Sequence, residues 1–264
     1  MEMGKVISIH SSRGGTGKSL IAVNLAAIYA SKGKKVSLLD LDFRAPSLST
    51  VFNGGSYKFI EYWTNDFLND RCPIEDALID LTEKYGTKGK FMVGLANPSL
   101  KAIREMMTKD RAWEMKALKK LLALKTTLLN NIKIDYVIYD TSPGIQYSSI
   151  NAVVSSDISL VVSTLDFLDV EGVRHMLSEL YDAFEKRTVV LINKAFPEHF
   201  LWSKERQNEL LNQLKENLGH PIVGVIPCYC DVLQSTRASI FAFENPRHPF
   251  TQALYEIADK LESP

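Results

Sequence analysis

One stretch limits what this chain can fold into more than any other: Lys5-Val-Ile-Ser-Ile-His-Ser-Ser-Arg-Gly-Gly-Thr-Gly-Lys-Ser19, with Leu20 to Ala30 behind it. A short β-rich run, Val6 to His10, enters a glycine-bearing loop, and the loop opens into a segment that reads as an amphipathic helix stopping at Lys32-Gly33. That strand–loop–helix context is what a phosphate-binding loop requires. Gly14, Gly15 and Gly17 permit backbone conformations that a Cβ would block, and they let successive N–H groups close around phosphate oxygens. A helix starting near Lys18 turns its positive dipole end toward the same anion. In such a loop Lys18 reaches the β- and γ-phosphates and the Ser19 hydroxyl ligates Mg²⁺, with Thr16 and Leu20 flanking the phosphates. The alternative is a glycine turn with an incidental lysine; the agreement of context with Gly17-Lys18-Ser19 argues against it.

With that tripeptide fixed, the first glycine of the ordinary motif falls on Ser12, and a cation, Arg13, precedes the glycine pair. This resembles the deviant Walker A loop of the ParA/MinD ATPases in the SIMIBI class of P-loop NTPases, which reads Lys-Gly-Gly-x-Gly-Lys-Ser/Thr. In that family the first lysine reaches across a homodimer to the partner's ATP. The resemblance implies an ATP- and Mg²⁺-dependent homodimer with Arg13 acting in trans. Arginine is permanently charged and can grip phosphate with two parallel donors, but it does not replace lysine atom for atom. A solvent-facing Arg13 with no role in trans is the competing reading.

Asp40-Leu-Asp42 closes the next apolar run, Lys35 to Asp42. The resemblance implies that Asp42 orients the attacking water near Mg²⁺, with Asp40 as its support; phosphoryl transfer needs mainly positioning and charge stabilisation, so one placed carboxylate suffices. Exposed acids at a strand end are the plainer reading. Tyr136-Val-Ile-Tyr-Asp140 has the Walker B pattern, which puts Asp140 at the carboxyl edge of a sheet where Mg²⁺ sits, held through water. Pro143-Gly144 behind it resembles the family's second switch loop, which senses the γ-phosphate. Asn193, after Val189 to Ile192, and Pro227, in Gly224-Val-Ile-Pro227, fall where the family reads adenine; Arg237, Ser239 and Phe241 depart from its usual Asn, Gly and Pro. No guanine-specific Asn/Thr-Lys-x-Asp occurs, since Asn193-Lys194 is followed by Ala195-Phe196. Asp166 to Arg174 resembles the start of the helix after the family's fifth strand.

Further apolar runs recur at Phe91–Ala96, Ile158–Ser163 and Ile222–Ile226, nearly continuous rather than alternating, as in strands buried on both faces of a parallel sheet. Helical segments between them, Val170–Phe184 and Lys204–Leu218 among them, complete an α/β, doubly wound, mostly parallel sheet of about seven to eight strands flanked by helices. With 264 residues, 45% of them hydrophobic, and no linker or repeat, the chain reads as one P-loop ATPase domain over 1–264. Residues 57–134 form its variable part and read as helical apart from Phe91–Ala96. Within it, Lys101, Arg104, Lys109, Arg111, Lys116, Lys119, Lys120, Lys125 and Lys133 make a basic stretch. Nucleic acid is one partner such a stretch suits. A solvated helix face opposite Met115, Leu118, Leu121, Leu122 and Leu129 is favoured, since no aromatics interleave the charges. Region 57–134 is the expected docking surface for an unknown protein partner.

Equal numbers of basic and acidic residues, 31 each, argue for no polyanionic partner overall. The absence of a signal peptide, of any run of about eighteen apolar residues and of a disulfide framework from three cysteines points to the cytoplasm. The Phe250–Pro264 tail has an acidic polar face (Glu256, Asp259, Glu262), the wrong sign for an anionic membrane, so no anchor is expected there. Cys228-Tyr-Cys230 supports an alternative, a metal-insertion or metal-carrier ATPase sharing a metal across a dimer; packing beneath the adenine site is the plainer account. Isolated Cys72 reads as packing. A third alternative is a non-hydrolysing, nucleotide-bound scaffold. The leading expectation is an ATP-hydrolysing dimerisation switch that controls partner binding or positioning.

Overall fold

A computed structural model of the chain describes residues 4–53, 60–196, 203–235 and 239–263. The start of the variable part at Tyr57 and the expected departure at Arg237 lie outside them. Eight strands form one sheet: β1 (Lys5–His10), β2 (Val36–Leu41), β3 (Leu78–Asp80), β4 (Phe91–Gly94), β5 (Tyr136–Thr141), β6 (Ile158–Ser163), β7 (Arg187–Ala195) and β8 (Ile222–Pro227). Their order across the sheet is β3-β4-β2-β5-β1-β6-β7-β8. Every pairing is parallel except β3 with β4. The doubly wound sheet expected from the apolar runs is therefore present.

Its central strands are mainly apolar and buried because both faces are covered. On β1 and β5, Ile7, Ile9 and Ile138 enter one core layer while Val6, Val137 and Tyr139 enter the opposite one. The first layer lies under α1 (Lys18–Ser31) and α7 (Pro249–Glu262). The second lies under α2 (Leu100–Met107), α3 (Arg111–Thr126) and α4 (Tyr147–Ser155), and a third cluster joins β6 and β7 to α5 (Phe167–Met176) and α6 (Lys204–Leu218). On the first face, Phe52, Tyr85, Phe91 and Phe243 form a ring cluster with centroid separations of 5.2–6.4 Å.

Several local expectations change. α1 is not amphipathic: Ile21 through Ala30 are all buried, because the helix runs between the sheet on one side and α7 on the other. The variable part holds a short antiparallel strand, β3, whose Leu78 pairs with Gly94. The segment Val170–Phe184 is α-helical only to Met176, after which a π-turn spans Leu177–Tyr181 and a 3₁₀ turn spans Asp182–Phe184. On α3 the inward stripe is Ala117, Leu121 and Leu124, continued by Leu128, whereas Met115 and Leu122 are exposed. Four of the nine residues of the basic stretch pair with acids of the fold. Lys116 and Lys120 pair with Asp70, Lys109 with Glu105, and Lys125 with Asp157. On α7 the apolar stripe Phe250, Leu254, Ile257, Ala258 and Leu261 is buried in the core, and among the described residues no helix is long and apolar enough to cross a membrane.

Phe91 is wholly buried in the ring cluster, so Phe91→Ala is expected to cost about 3–5 kcal/mol of unfolding free energy in a urea titration. A loss below about 1 kcal/mol would mean that the cluster collapses around the gap and is not a fixed part of the core.

Candidate nucleotide site

β1 ends at His10, and Ser11–Gly17 turn the chain into α1. Gly15 and Gly17 take φ of 84° and 96°. A Cβ on Gly17 would also stand 2.4 Å from Asn193 Nδ2, so that position is closed to other residues on two counts. No side chain caps α1 at Gly17 and no acid stands in its first turn, which leaves the positive end of the helix free for an anion. The loop is braced through its carbonyls: Asn193 Nδ2 donates to the Thr16 oxygen at 2.8 Å and Lys194 Nζ to the Gly15 oxygen at 2.7 Å. Bonds of this kind hold the loop's shape while sparing its N–H groups, the donors an anion nest uses. Gly14 has open space on its Cβ side, Thr16 is buried, and Ser19 and Leu20 are half-buried.

Because β5 lies between β1 and β2, three acids collect at one edge. Asp140 is in register with Asp40 of β2 and with Ile9 of β1, and Asp42 follows one residue past β2. Asp140 is buried with neither carboxylate oxygen hydrogen-bonded. Burial pushes its pKa up to about 7, resisted by the neighbouring Ser19 hydroxyl and the Lys18 ammonium and reinforced by Asp42. Asp40, wholly buried, is held well above the usual carboxylate range by burial first and then by Asp140 and Asp42. Its Oδ1 accepts the Asp42 N–H at 3.0 Å while Oδ2 has no partner. Burial lowers the Lys18 ammonium, against the pull of Asp140, Asp42 and Asp169. Asp42 is tethered by one oxygen only: Oδ1 accepts from Ser142 Oγ at 2.7 Å and from the N–H groups of Ala45 and Arg44 at 3.1 and 3.2 Å.

A buried carboxylate without donors, beside a hydroxyl, is a donor set for a hard cation. Mg²⁺ fits it: the ion takes one or two protein oxygens and completes its octahedron with phosphates and water. Among the described residues no three His, Cys, Asp or Glu side chains are gathered to hold a metal ion. Ser19 and Asp140 would hold it, with Asp42 alongside.

Arg13 points elsewhere. Asp166 caps α5 by accepting from the N–H groups of Leu168 and Asp169. The Arg13 guanidinium bonds to that same Asp166 oxygen, and its Nε lies 3.4 Å from Asp169 Oδ1. This contact holds the Asp166 carboxyl below its usual range. Asp169, fully buried, also receives Ser12 Oγ at 2.8 Å and the Thr164 N–H at 2.7 Å. On the opposite flank, Leu20, Asn193, Lys194, Pro227, Cys228 and Tyr229 line a narrow cleft beside α1. Asn193 lines this cleft with its amide nitrogen committed to the loop. Cys228 packs into this cleft, whereas Cys230 is exposed and Cys72 is half-buried against the second core layer. Lys194, Asp166 and Asp169 were not expected at the site; their partners lie more than 150 residues away in sequence, and only the fold brings them together.

The AAA_31 sequence profile, described as an AAA domain, matches residues 4–194. The chain belongs to the ParA/MinD family of P-loop NTPases. The septum site-determining protein MinD of Thermotoga maritima is 28% identical over 244 residues, which span 90% of this chain and 80% of that protein. MinD from Pyrococcus horikoshii, solved in complex with Mg-ADP, superposes with a TM-score of 0.73 at 20% identity, covering 99% of this chain and 97% of that one. A MinC:MinD cell division protein complex from Aquifex aeolicus gives 0.77 at 22% identity, covering 99% and 96%. The arrangement of loop, strand-end acids and cleft in this ParA/MinD-family chain is that of a nucleotide site.

The raised pKa of Asp140 carries a sign. Below about pH 7 its carboxyl holds a proton that Mg²⁺ must displace, so Mg²⁺-dependent nucleotide binding is expected to tighten as pH rises. For a single carboxyl that must ionise first the gain is about tenfold between pH 6 and pH 8, with proton release on binding. Calorimetry in two buffers of different ionisation heat checks this, and Asp140→Asn should flatten the profile; a flat wild-type profile contradicts the assignment.

Proposed function

We propose that this protein is an Mg²⁺-dependent ATPase that dimerises on ATP and lets go after hydrolysis, working as a slow, partner-stimulated switch. The observation that supports it most is the convergence of the glycine loop, Lys18 and the unpartnered Asp140 with a singly tethered Asp42 at one sheet edge. In this reading Lys18 and the N–H groups of Arg13 to Leu20 cradle the phosphates. Mg²⁺, when bound, neutralises phosphate charge; Ser19 and Asp140 orient it. Asp42 aims the attacking water with its untethered oxygen, in keeping with phosphoryl transfer driven by positioning. Leu20, Asn193 and Pro227 flank adenine.

Arg13 is the residue we assign to the opposite nucleotide. Its guanidinium is 42% exposed and its partner Asp166 is 55% exposed, so the pairing is worth little and is readily exchanged for a phosphate. Phe167 and Leu168 beside it, with Ile145 and Tyr147 past the Pro143-Gly144 turn, are all at least 59% exposed. Apolar side chains so placed support a face covered by a second copy. A groove of about 560 Å³ between α2, α3 and these loops is lined by Phe43 and Arg44, just past Asp42, and by Ile145 to Ser148 and Ile150, just past Gly144. That adjacency supports the variable part as the seat of a protein partner, by analogy with the MinC:MinD complex. We place the protein in a reducing cytoplasm, where its free cysteines remain thiols. No observation favours the metal-carrier reading, and the free oxygen of Asp42 favours a hydrolysing switch over a static scaffold.

Light scattering with ATP, ADP and no nucleotide tests this. Wild type is expected to double its mass with ATP only, Lys18→Ala to stay monomeric, and Asp42→Ala to remain dimeric because turnover stops. Arg13→Ala should cut turnover by about 10³-fold if the guanidinium acts as an arginine finger. Unchanged turnover and mass in Arg13→Ala would remove the trans role.

A further inference from the structure

β1 delivers one more polar side chain to this edge, and neither phosphate nor magnesium chemistry uses it. His10 is the last residue of β1 and is wholly buried. Its Nδ1 lies 2.5 Å from the Tyr181 hydroxyl and its Nε2 lies 3.1 Å from the carbonyl oxygen of Gly144. A carbonyl can only accept, so Nε2 carries the proton, and the bare Nδ1 accepts the Tyr181 O–H. The partners alone assign the tautomer. Burial, opposed by the Gly144 bond and aided by Lys18, lowers the pKa of His10 to about 4, so the ring is neutral near pH 7.

The bond to Gly144 is one of two between the same segments. Gly144, at φ 76°, donates its N–H to the Ser11 oxygen at 2.9 Å. The turn behind Asp140 is therefore stitched to the foot of the phosphate loop in both directions, by a backbone donor going one way and the imidazole donor the other. Tyr181 fixes the ring from the far side. It is 2% exposed in the π-turn that follows α5, and its ring lies at 24° to the imidazole with centroids 6.0 Å apart. The other end of α5 holds Ser12 and Arg13 through Asp169 and Asp166. An aliphatic residue would fill such a site without the cost of burying an imidazole; a histidine whose two nitrogens are both matched fits a role in orientation.

We propose that His10, oriented by Tyr181, is the positioning residue that sets the Pro143-Gly144 turn against the phosphate loop, and so governs how well the site prefers a nucleoside triphosphate to a diphosphate. The proposal rests on the ATPase reading above. The turn is the part of the site that follows the Mg²⁺-side carboxylate, so its placement bears on the third phosphate, while the diphosphate is gripped by α1 and the loop amides. Tyr181 acts at one remove, by denying the ring its other rotamers and the other tautomer.

The test compares MgATP and MgADP affinities and single-turnover hydrolysis in His10→Gln, His10→Met and Tyr181→Phe. Glutamine keeps an N–H donor for the Gly144 oxygen; methionine has similar bulk and no donor. His10→Met is expected to lose about tenfold in its ATP-over-ADP preference, the scale of one buried acceptor left unmet, with MgADP affinity little changed. His10→Gln should regain most of that loss, and Tyr181→Phe, which keeps the ring packing, should fall between. Equal preference in the glutamine and methionine variants overturns the proposal. So does a parallel loss of ATP and ADP affinity, which would mark His10 as part of the loop's scaffolding. Wild-type protein that binds neither nucleotide, or nucleotide affinities that Lys18→Ala leaves unchanged, refutes the ATPase reading itself; a nucleotide-competent wild type with indifferent His10 variants refutes the positioning role alone.

Discussion

Asp140, next to last in the buried strand β5, has no hydrogen-bond partner on either carboxylate oxygen, and the rest of the site can be understood as the means of making that tolerable. An ionised carboxylate in such a place costs several kcal/mol unless it finds a cation or takes a proton. Lys18 is near but is itself desolvated, and Asp40 and Asp42 add charge of the same sign. The protein alone therefore leaves the cluster unbalanced. A divalent ion with a polyphosphate would restore the balance, the ion answering the acids and the phosphates answering Lys18 and the loop amides. In the function proposed above, nucleotide and metal would complete these electrostatics, and their binding would draw on a cost the fold already bears.

The strand order is what concentrates the charge. β5 sits between β1 and β2, so the ends of three strands far apart in sequence present the loop, Asp140 and the Asp40/Asp42 pair side by side. Parallel strands point their carboxyl ends the same way, and ligands collect at that edge. Both faces are sealed by helices, with α1 and α7 on one side and α3, α4 and α5 on the other. The resulting low dielectric is why the pKa values of Asp140 and Asp40 rise and that of His10 falls. The same burial that holds the sheet together thus tunes the edge.

Much of this was legible in the sequence because chemistry and backbone demands coincide over a few contiguous residues. Gly17-Lys18-Ser19 needs glycine for its turn and lysine and serine for its ligand, and Asp42 and Asp140 end apolar runs whose length marks them as strands. What was not legible depends on distance or on context. β3 is three residues of an edge strand, Leu-Ile-Asp, too short for periodicity to register. α1 reads as amphipathic until α7, more than 200 residues later, covers its outer side. The outward turn of Met115 and Leu122 is set by where α3 lies on the sheet. Asn193 was expected at the base, whereas its use as a brace on the Thr16 carbonyl beside Gly17 had no signal in the sequence.

Arg13 shows how an arginine ahead of the glycine pair shapes its surroundings. A lysine in its place would present one compact charge; the guanidinium spreads its donors over a fork. Here Nη2 engages Asp166 while Nε approaches Asp169, two acids one helical turn apart at the start of α5. Asp166 is committed to capping that helix whether or not Arg13 is present, and Asp169 is committed to Thr164 and Ser12. Neither acid would be stranded when the guanidinium leaves, so departure of Arg13 carries no penalty of an unmatched buried charge. In the dimer proposed above, a phosphate would have to displace a solvent-exposed ion pair with Asp166 and a 3.4 Å contact with the buried Asp169.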